Sequence, residues 1–399
     1  MRRRDFLRAA GLTVAAGSLP GAAFARADTD ARLVVILLRG AMDGLALAAP
    51  YGDGNYAGLR GELALPAPGQ SGGLLKLDGM FGLHPAMSGL HRDFRNKDAL
   101  LIHAVASPYR ERSHFDGQDL LETGGAQTGT TRDGWLNRAI APLGGSLGRE
   151  TAIAMAENTP LILRGSHSVT SWSPSRLPNA SAATIARLQD LYADDEFFAT
   201  RLAQALKSQD IAMSSGEADR TGGRGGDAKY LKSLLESTAG FLSADDGPRV
   251  AVLETSGWDT HSNQGASNGA MANRLASLDD GLGALRTGLG ENWDSTVVAI
   301  VTEFGRTAAV NGTRGTDHGT ASAAILVGGA VNGGRVIADW PGLSKANLYQ
   351  GRDLYPTTDL RSVFKGVLSD HLALDEVLLE KSVFPESRAA QGMQGLIRV

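Results

Sequence analysis

Five short stretches of this sequence carry side chains that could hold a metal ion or act on an ester. "GWDTH" sets Asp259 two residues before His261, so in an extended segment both side chains point the same way. "GTDHG" puts Asp317 beside His318 among glycines and threonines, and "EFGR" places Glu303 three residues before Arg306. "RGAMDGL" supplies Asp43, and "RERSHFDG" supplies Arg112, Ser113 and His114. Carboxylates mixed with imidazoles suit Zn, Mn or Fe, and with more oxygen Mg or Ca. The chain has no cysteine, which excludes thiolate sites and disulfides. Three of the eight histidines fall in these stretches, which concentrates the scarcest ligand type there.

Each stretch also has an ordinary explanation. Asp43 before Gly44 fits a turn in which the carboxylate accepts a local backbone hydrogen bond. Ser113-x-x-Asp116 fits a helix start, with Ser113 as its cap. Glu303 and Arg306 could form an ion pair, and His318 could be a hydrogen-bond partner in a loop. Chemistry would need all of them on one edge of a sheet. Asp43, Asp259, His261, Glu303, Asp317 and His318 are then candidate metal ligands. Ser113 is the candidate nucleophile, His114 a general acid or an orienting partner of Ser113, and Arg112 or Arg306 the cation facing an anionic group.

The elements that would position them are legible as apolar runs of strand length: 33–38, 99–106, 151–156, 249–255, 295–302 and 322–329. Continuous runs, in place of alternation, indicate strands buried on both faces, as in a mainly parallel sheet. Helical patterns separate them at 85–95, 114–122, 134–141, 182–206, 228–242, 270–289 and 358–368. Strands alternating with helices predict a three-layer α/β sandwich, in which ligands gather outside the carboxyl ends of the strands. Four candidate stretches directly follow apolar runs. Residues 156–227 lack strand signal and read as a helical insertion ending in a polar, glycine-rich surface loop over 207–227, near Arg224.

Residues 1–27 are set apart. "RRDFL" followed by a weakly apolar Gly/Ala stretch and small residues at Ala23 and Ala25, or Ala25 and Ala27, reads as a cleaved twin-arginine export signal. Residues 28–399 are then one exported domain, periplasmic or otherwise outside the cytoplasm, delivered by the twin-arginine machinery. No other stretch is long and apolar enough to span a bilayer. The formal charge of −4 and the lack of a basic, aromatic-studded patch argue against a nucleic-acid partner.

Taken in order, "RGAMDGL", "RSHFDGQD", "GWDTH", "TEFGRT", "GTDHG" and "YPTTDLRSVFKGVL" resemble a family of twin-arginine-exported bacterial proteins of uncharacterised function, usually placed in the alkaline phosphatase and sulfatase superfamily. The resemblance implies an alkaline-phosphatase-like fold and one or two divalent ions (Zn, Mn, Mg or Ca) flanking the nucleophile Ser113. It also implies Asp43 as the first-strand ligand, and Asp259, His261 and His318 around one ion. Glu303 takes the place of an aspartate ligand, but Phe304 follows where that pattern has a histidine. The implied activity is hydrolysis or transfer of phosphate or sulfate esters, small or on glycans. The alternative is an exported binding or assembly protein that keeps the fold without the reaction.

Overall fold

The apolar runs form the sheet. In the computed structural model, which describes residues 30–143, 151–174, 180–214 and 226–398, the strands are β1 (Arg32–Leu38), β2 (Ala99–Ala106), β3 (Ala152–Ala154), β4 (Thr170–Ser171), β5 (Val250–Thr255), β6 (Thr296–Val301), β7 (Ser322–Val327), β8 (Val336–Ile337) and β9 (Thr358–Asp359). Their order is β8-β2-β7-β6-β1-β5-β3-β4, with β9 beside β2. In this sheet every pairing is parallel except those of β7, which runs antiparallel to β2 and β6.

The helices are α1 (Gly44–Leu47), α2 (Ser88–Arg95), α3 (His114–Thr123), α4 (Trp135–Ile140), α5 (Ala182–Tyr192), α6 (Glu196–Ser214), α7 (Gly226–Ser243), α8 (Ala270–Leu289) and α9 (Leu360–Leu372). Alternate residues of β1 explain the layers. Leu33, Val35 and Leu37 pack with α4 and α9 on one face. Val34, Ile36 and Leu38 pack with α2, α7 and α8 on the other. A strand buried on both faces has no polar face to alternate with, hence its unbroken apolar run. The fold is a three-layer α/β sandwich with a mainly parallel central sheet, as the patterning implies.

Three expectations shift. The pattern over 182–206 divides into α5 and α6, because the Asp195 carboxylate accepts from the amides of Phe197 and Phe198 (both 3.1 Å) and starts a new helix. Residues 207–214 continue α6 and are not loop, and the half-buried Ile211 packs against the core. Residues 156–171 are not helical throughout: Ile162 and Leu163 join the core and β4 extends the sheet. A two-residue strand is too short to show a period. The expected export signal and the glycine-rich stretch around Arg224 lie outside the described residues. Among the described residues, no helix is long and apolar enough to cross a membrane.

Candidate metal centre

Four segments beyond strand ends meet at one edge of the sheet. After β5 the chain reaches Trp258, buried in the core, which fixes the backbone of Asp259. It passes so close to the end of β1 that a Cβ on Gly40 would lie 2.5 Å from the Asp259 nitrogen. With φ of +120° as well, position 40 admits only glycine. Between β6 and β7 the chain folds back on itself. Gly305 N donates to Thr320 O and Gly319 N to Gly305 O (both 2.8 Å), and Arg306 bridges His318. That pairing sets His318 beside Glu303 and Arg306. The fourth segment follows β2 and starts α3 at His114.

Three imidazoles are then fixed the same way. His114 Nδ1 lies 2.8 Å from Glu303 Oε1, His261 Nδ1 3.1 Å from Asp317 Oδ1, and His318 Nδ1 2.9 Å from the Arg112 carbonyl. Carbonyls and ionised carboxylates only accept, so each Nδ1 carries a proton and, in the neutral ring, each Nε2 presents a lone pair. The Nε2 atoms turn toward Asp259. His261 Nε2 is 3.1 Å and His318 Nε2 3.4 Å from Asp259 Oδ1, and His114 Nε2 is 3.5 Å from Oδ2. The two nitrogens of His261 and His318 lie 3.0 Å apart.

Bare nitrogens at that distance repel unless a proton or a cation lies between them. His114 Nε2 is buried and has no hydrogen-bond partner, which is costly in any site without a ligand. Donor atoms of His114, Asp259 and His318 all fall within 4.8 Å of one another. A tetrahedral ion with bonds of about 2.0–2.1 Å keeps its donors roughly 3.4 Å apart. The residues therefore fit a divalent ion with His114, His318 and Asp259 around it and His261 at its open side. Nitrogen-rich donors favour Zn over Mg or Ca.

Electrostatics favour the same set. Burial raises the pKa of Asp259, but the Arg306 guanidinium, 2.6 Å from Oδ1, outweighs it and the net shift is downward. The hydrogen bond to Glu303 raises His114 above the ordinary histidine value. Burial lowers His318. Phe304 stacks on His114 at 5.0 Å and lies 5.3 Å from His318, an apolar floor where a histidine was expected. Asp259 is 40% and His261 44% exposed, so the open side faces solvent and a substrate can reach it.

The other candidate residues are engaged as follows. Asp43 is buried and fully engaged: it pairs with buried Arg60, accepts from Gln264 at 2.7 Å, and caps α1 through the amides of Leu45 and Ala46. These bonds match the turn reading, and four donors share its two oxygens. Glu303 accepts from His114, the Gly40 amide, Gln118 and Thr302, so it orients the His114 ring. Burial raises Glu303 while these bonds lower it, with a net downward shift. Asp317 similarly orients His261 and is lowered chiefly by the Asn311 side chain.

The candidate cations are committed as well. Arg306 is buried and held by Asp259 and Thr316, so it positions Asp259 and does not face a substrate. The Arg112 guanidinium binds Asp353 and Gln350. Its contribution to the site is its carbonyl on His318. Ser113 stands at the start of α3 without capping it through its side chain, and its amide donates to the Tyr109 hydroxyl at 2.9 Å. His114 Nε2 faces Asp259 Oδ2 at 3.5 Å. Asn311, Gln264 and Tyr109 support the site and were missed, because a single loop polar residue carries no pattern.

Glu303→Gln keeps the shape and an acceptor for His114 Nδ1 but removes the charge. It is expected to weaken metal binding by about 10–100-fold in a chelator-competition titration. Wild-type affinity in this variant would show that the Glu303–His114 pair does not tune the site.

The family described as "Protein of unknown function (DUF1501)" matches residues 30–382. Among solved structures, the chain is similar to the phosphonate monoester hydrolase of Agrobacterium radiobacter (12% identity, 86% of this chain and 74% of that one, TM-score 0.41). It is also similar to a protein in the alkaline phosphatase superfamily from Vibrio parahaemolyticus (13% identity, 78% and 63%, TM-score 0.38). A third is the C-terminal periplasmic domain of EcEptC from Escherichia coli in complex with Zn (11% identity, 76% and 74%, TM-score 0.34). The chain thus spans less than two thirds of the Vibrio protein. A comparison with curated proteins found no match.

Proposed function

For this chain, which belongs to the DUF1501 family, we propose an exported, metal-dependent hydrolase or transferase acting on phosphate or sulfate esters. The observation that carries it is the convergence of three Nδ1-anchored imidazoles on Asp259, next to a serine that does not cap its own helix. His114, His318 and Asp259 would hold the ion, with His261 at the open side. When bound, the ion would supply Lewis acidity and lower the pKa of an attacking hydroxyl or water.

The chain's own residues do the rest. Glu303 and Asp317 hold their imidazoles in the metal-binding tautomer, and Arg306 keeps Asp259 ionised. Ser113 offers its hydroxyl at the start of α3, where backbone N–H groups favour an anion. Phe304 shields the inner side from water. Export by the twin-arginine machinery, to the periplasm or beyond, is part of the same proposal and rests on residues 1–27. The second reading, a binding or assembly protein that has lost the reaction, draws on Phe304 and on the engaged carboxylates of Asp43 and Glu303, which leave a second ion little to bind.

The test is turnover of aryl phosphates and sulfates by metal-loaded protein. Ser113→Ala is expected to lower kcat/KM by on the order of 10³-fold with metal content unchanged. Undiminished turnover would remove Ser113 as nucleophile and leave water in that role. Loaded protein that turns over neither class of ester would favour the binding protein.

A further inference from the structure

We propose that Arg352 is the anion-recognising residue of this site, and that the group it recognises carries a single negative charge, as in a sulfate monoester or a phosphate diester. This inference rests on the ester reading above. Residues 349–353 form a tight loop, closed by Tyr349 N to Asp353 O at 2.8 Å and Asp353 N to Tyr349 O at 3.1 Å. Arg112 fastens the loop to the Ser113–His114 corner by binding both Asp353 and Gln350. Arg352 leaves that loop and donates one N–H to the carbonyl of His318 at 2.8 Å. Its other arm forms an ion pair with Asp353 Oδ1 at 3.6 Å, longer than a hydrogen bond, and the side chain is 42% exposed.

The neighbouring guanidiniums are occupied. Arg306 is held by Asp259 and Thr316, Arg112 by Asp353 and Gln350, and Arg110 by the carbonyls of Ser107 and Tyr109. Arg352 is thus the cation beside His318 that is more exposed than Arg306 or Arg112 and whose ion pair is too long to be a hydrogen bond, so its planar fork can turn to two oxygens of a tetrahedral anion. Charge sets the class. A dication with Arg112, Arg306 and Arg352, against Asp259, Asp317, Glu303 and Asp353, leaves one net positive charge. A monoanion balances it, whereas a dianion would bring an uncompensated charge into a partly desolvated site.

The probes are benzenesulfonate, a monoanion, and phenylphosphonate above its second ionisation, a dianion; neither is an ester. Calorimetric titration of the metal-loaded protein is expected to show tighter binding of benzenesulfonate. Arg352→Gln should weaken it by about tenfold, and Arg352→Lys should restore only part. The exposed position predicts an unchanged thermal midpoint in both variants, which separates lost recognition from misfolding. Equal affinity in Arg352→Gln, tighter binding of the phosphonate, or no binding of either probe would overturn the proposal. Turnover of 4-nitrophenyl sulfate and bis(4-nitrophenyl) phosphate then distinguishes the two acids. Arg352-dependent binding with no turnover of either ester would refute the hydrolase reading alone. Turnover that Arg352→Gln leaves untouched would refute the recognition assignment alone.

Discussion

Replacing His318 with alanine is expected to weaken divalent metal binding by about 100-fold or more, so that near-stoichiometric metal in the purified wild type falls to a trace in the variant. His318 contributes an Nε2 that lies 3.0 Å from that of His261 and 3.4 Å from Asp259. Alanine removes the donor but keeps the backbone pairing with Arg306 that closes the hairpin, so the fold of this edge survives. Mass spectrometry of both proteins, purified without chelator or affinity metal, makes the comparison. Added Zn or Mn should also raise the wild-type thermal midpoint and leave that of the variant nearly unmoved, since a ligand that binds the native state stabilises it. A proton competes for the same lone pairs. Because Glu303 raises the pKa of His114, affinity should drop as pH falls through that raised value and recover above it. Metal retained in full by His318→Ala would sink the assignment. So would a wild type that takes up none after addition of Zn, Mn, Mg and Ca.

Arg60→Ala should be the most destabilising single change away from the centre. Arg60 and Asp43 are 0% and 1% exposed in their side chains, so removing the guanidinium leaves a buried carboxylate without its counter-ion. Breaking a buried pair on one side costs about 3–5 kcal/mol. Spread over the unfolding entropy of a domain this size, that lowers the thermal midpoint by roughly 5 °C. The Gln264 amide and the two amides of α1 still reach Asp43 and hold the loss toward the lower end. Lys207→Ala is the contrast: its pair with Asp246 is more than half exposed at both ends and should be worth under about 1 kcal/mol. Calorimetry on both variants decides the matter. A midpoint in Arg60→Ala within a degree of wild type would mean that the pair is not holding Asp43 in place.

Much of the architecture was legible along the chain, because burial on both faces leaves a continuous apolar run of strand length bounded by loop residues. All six runs became strands, and their order placed Asp259, His261, Glu303 and His318 beyond strand ends. The antiparallel direction of β7 was not legible: its residues, SAAILV, are as apolar as those of its parallel neighbours. The boundary near Asp195 was missed because the apolar spacing of 182–206 continues across it, and only a capping carboxylate interrupts the backbone.

For the site, residue type and position past a strand nominated side chains that the fold brings to one edge, but could not show what each one binds. Asp43, Glu303, Asp317 and Asp259 are alike in the sequence, each an acid in a loop. What separates them is which hydrogen-bond donors reach each carboxylate. Arg60 and Gln264 close off Asp43, His114 and the Gly40 amide engage Glu303, and Asn311 and His261 hold Asp317. Most of these partners are far away along the chain, and Asn311, though close to Asp317, is one polar loop residue among several. By itself the sequence determined the strands, the layered sandwich and the presence of acids and imidazoles at one sheet edge, because each follows from local pattern. Only the tertiary structure decided which side chains keep a lone pair to offer, because that depends on donors brought together from distant segments.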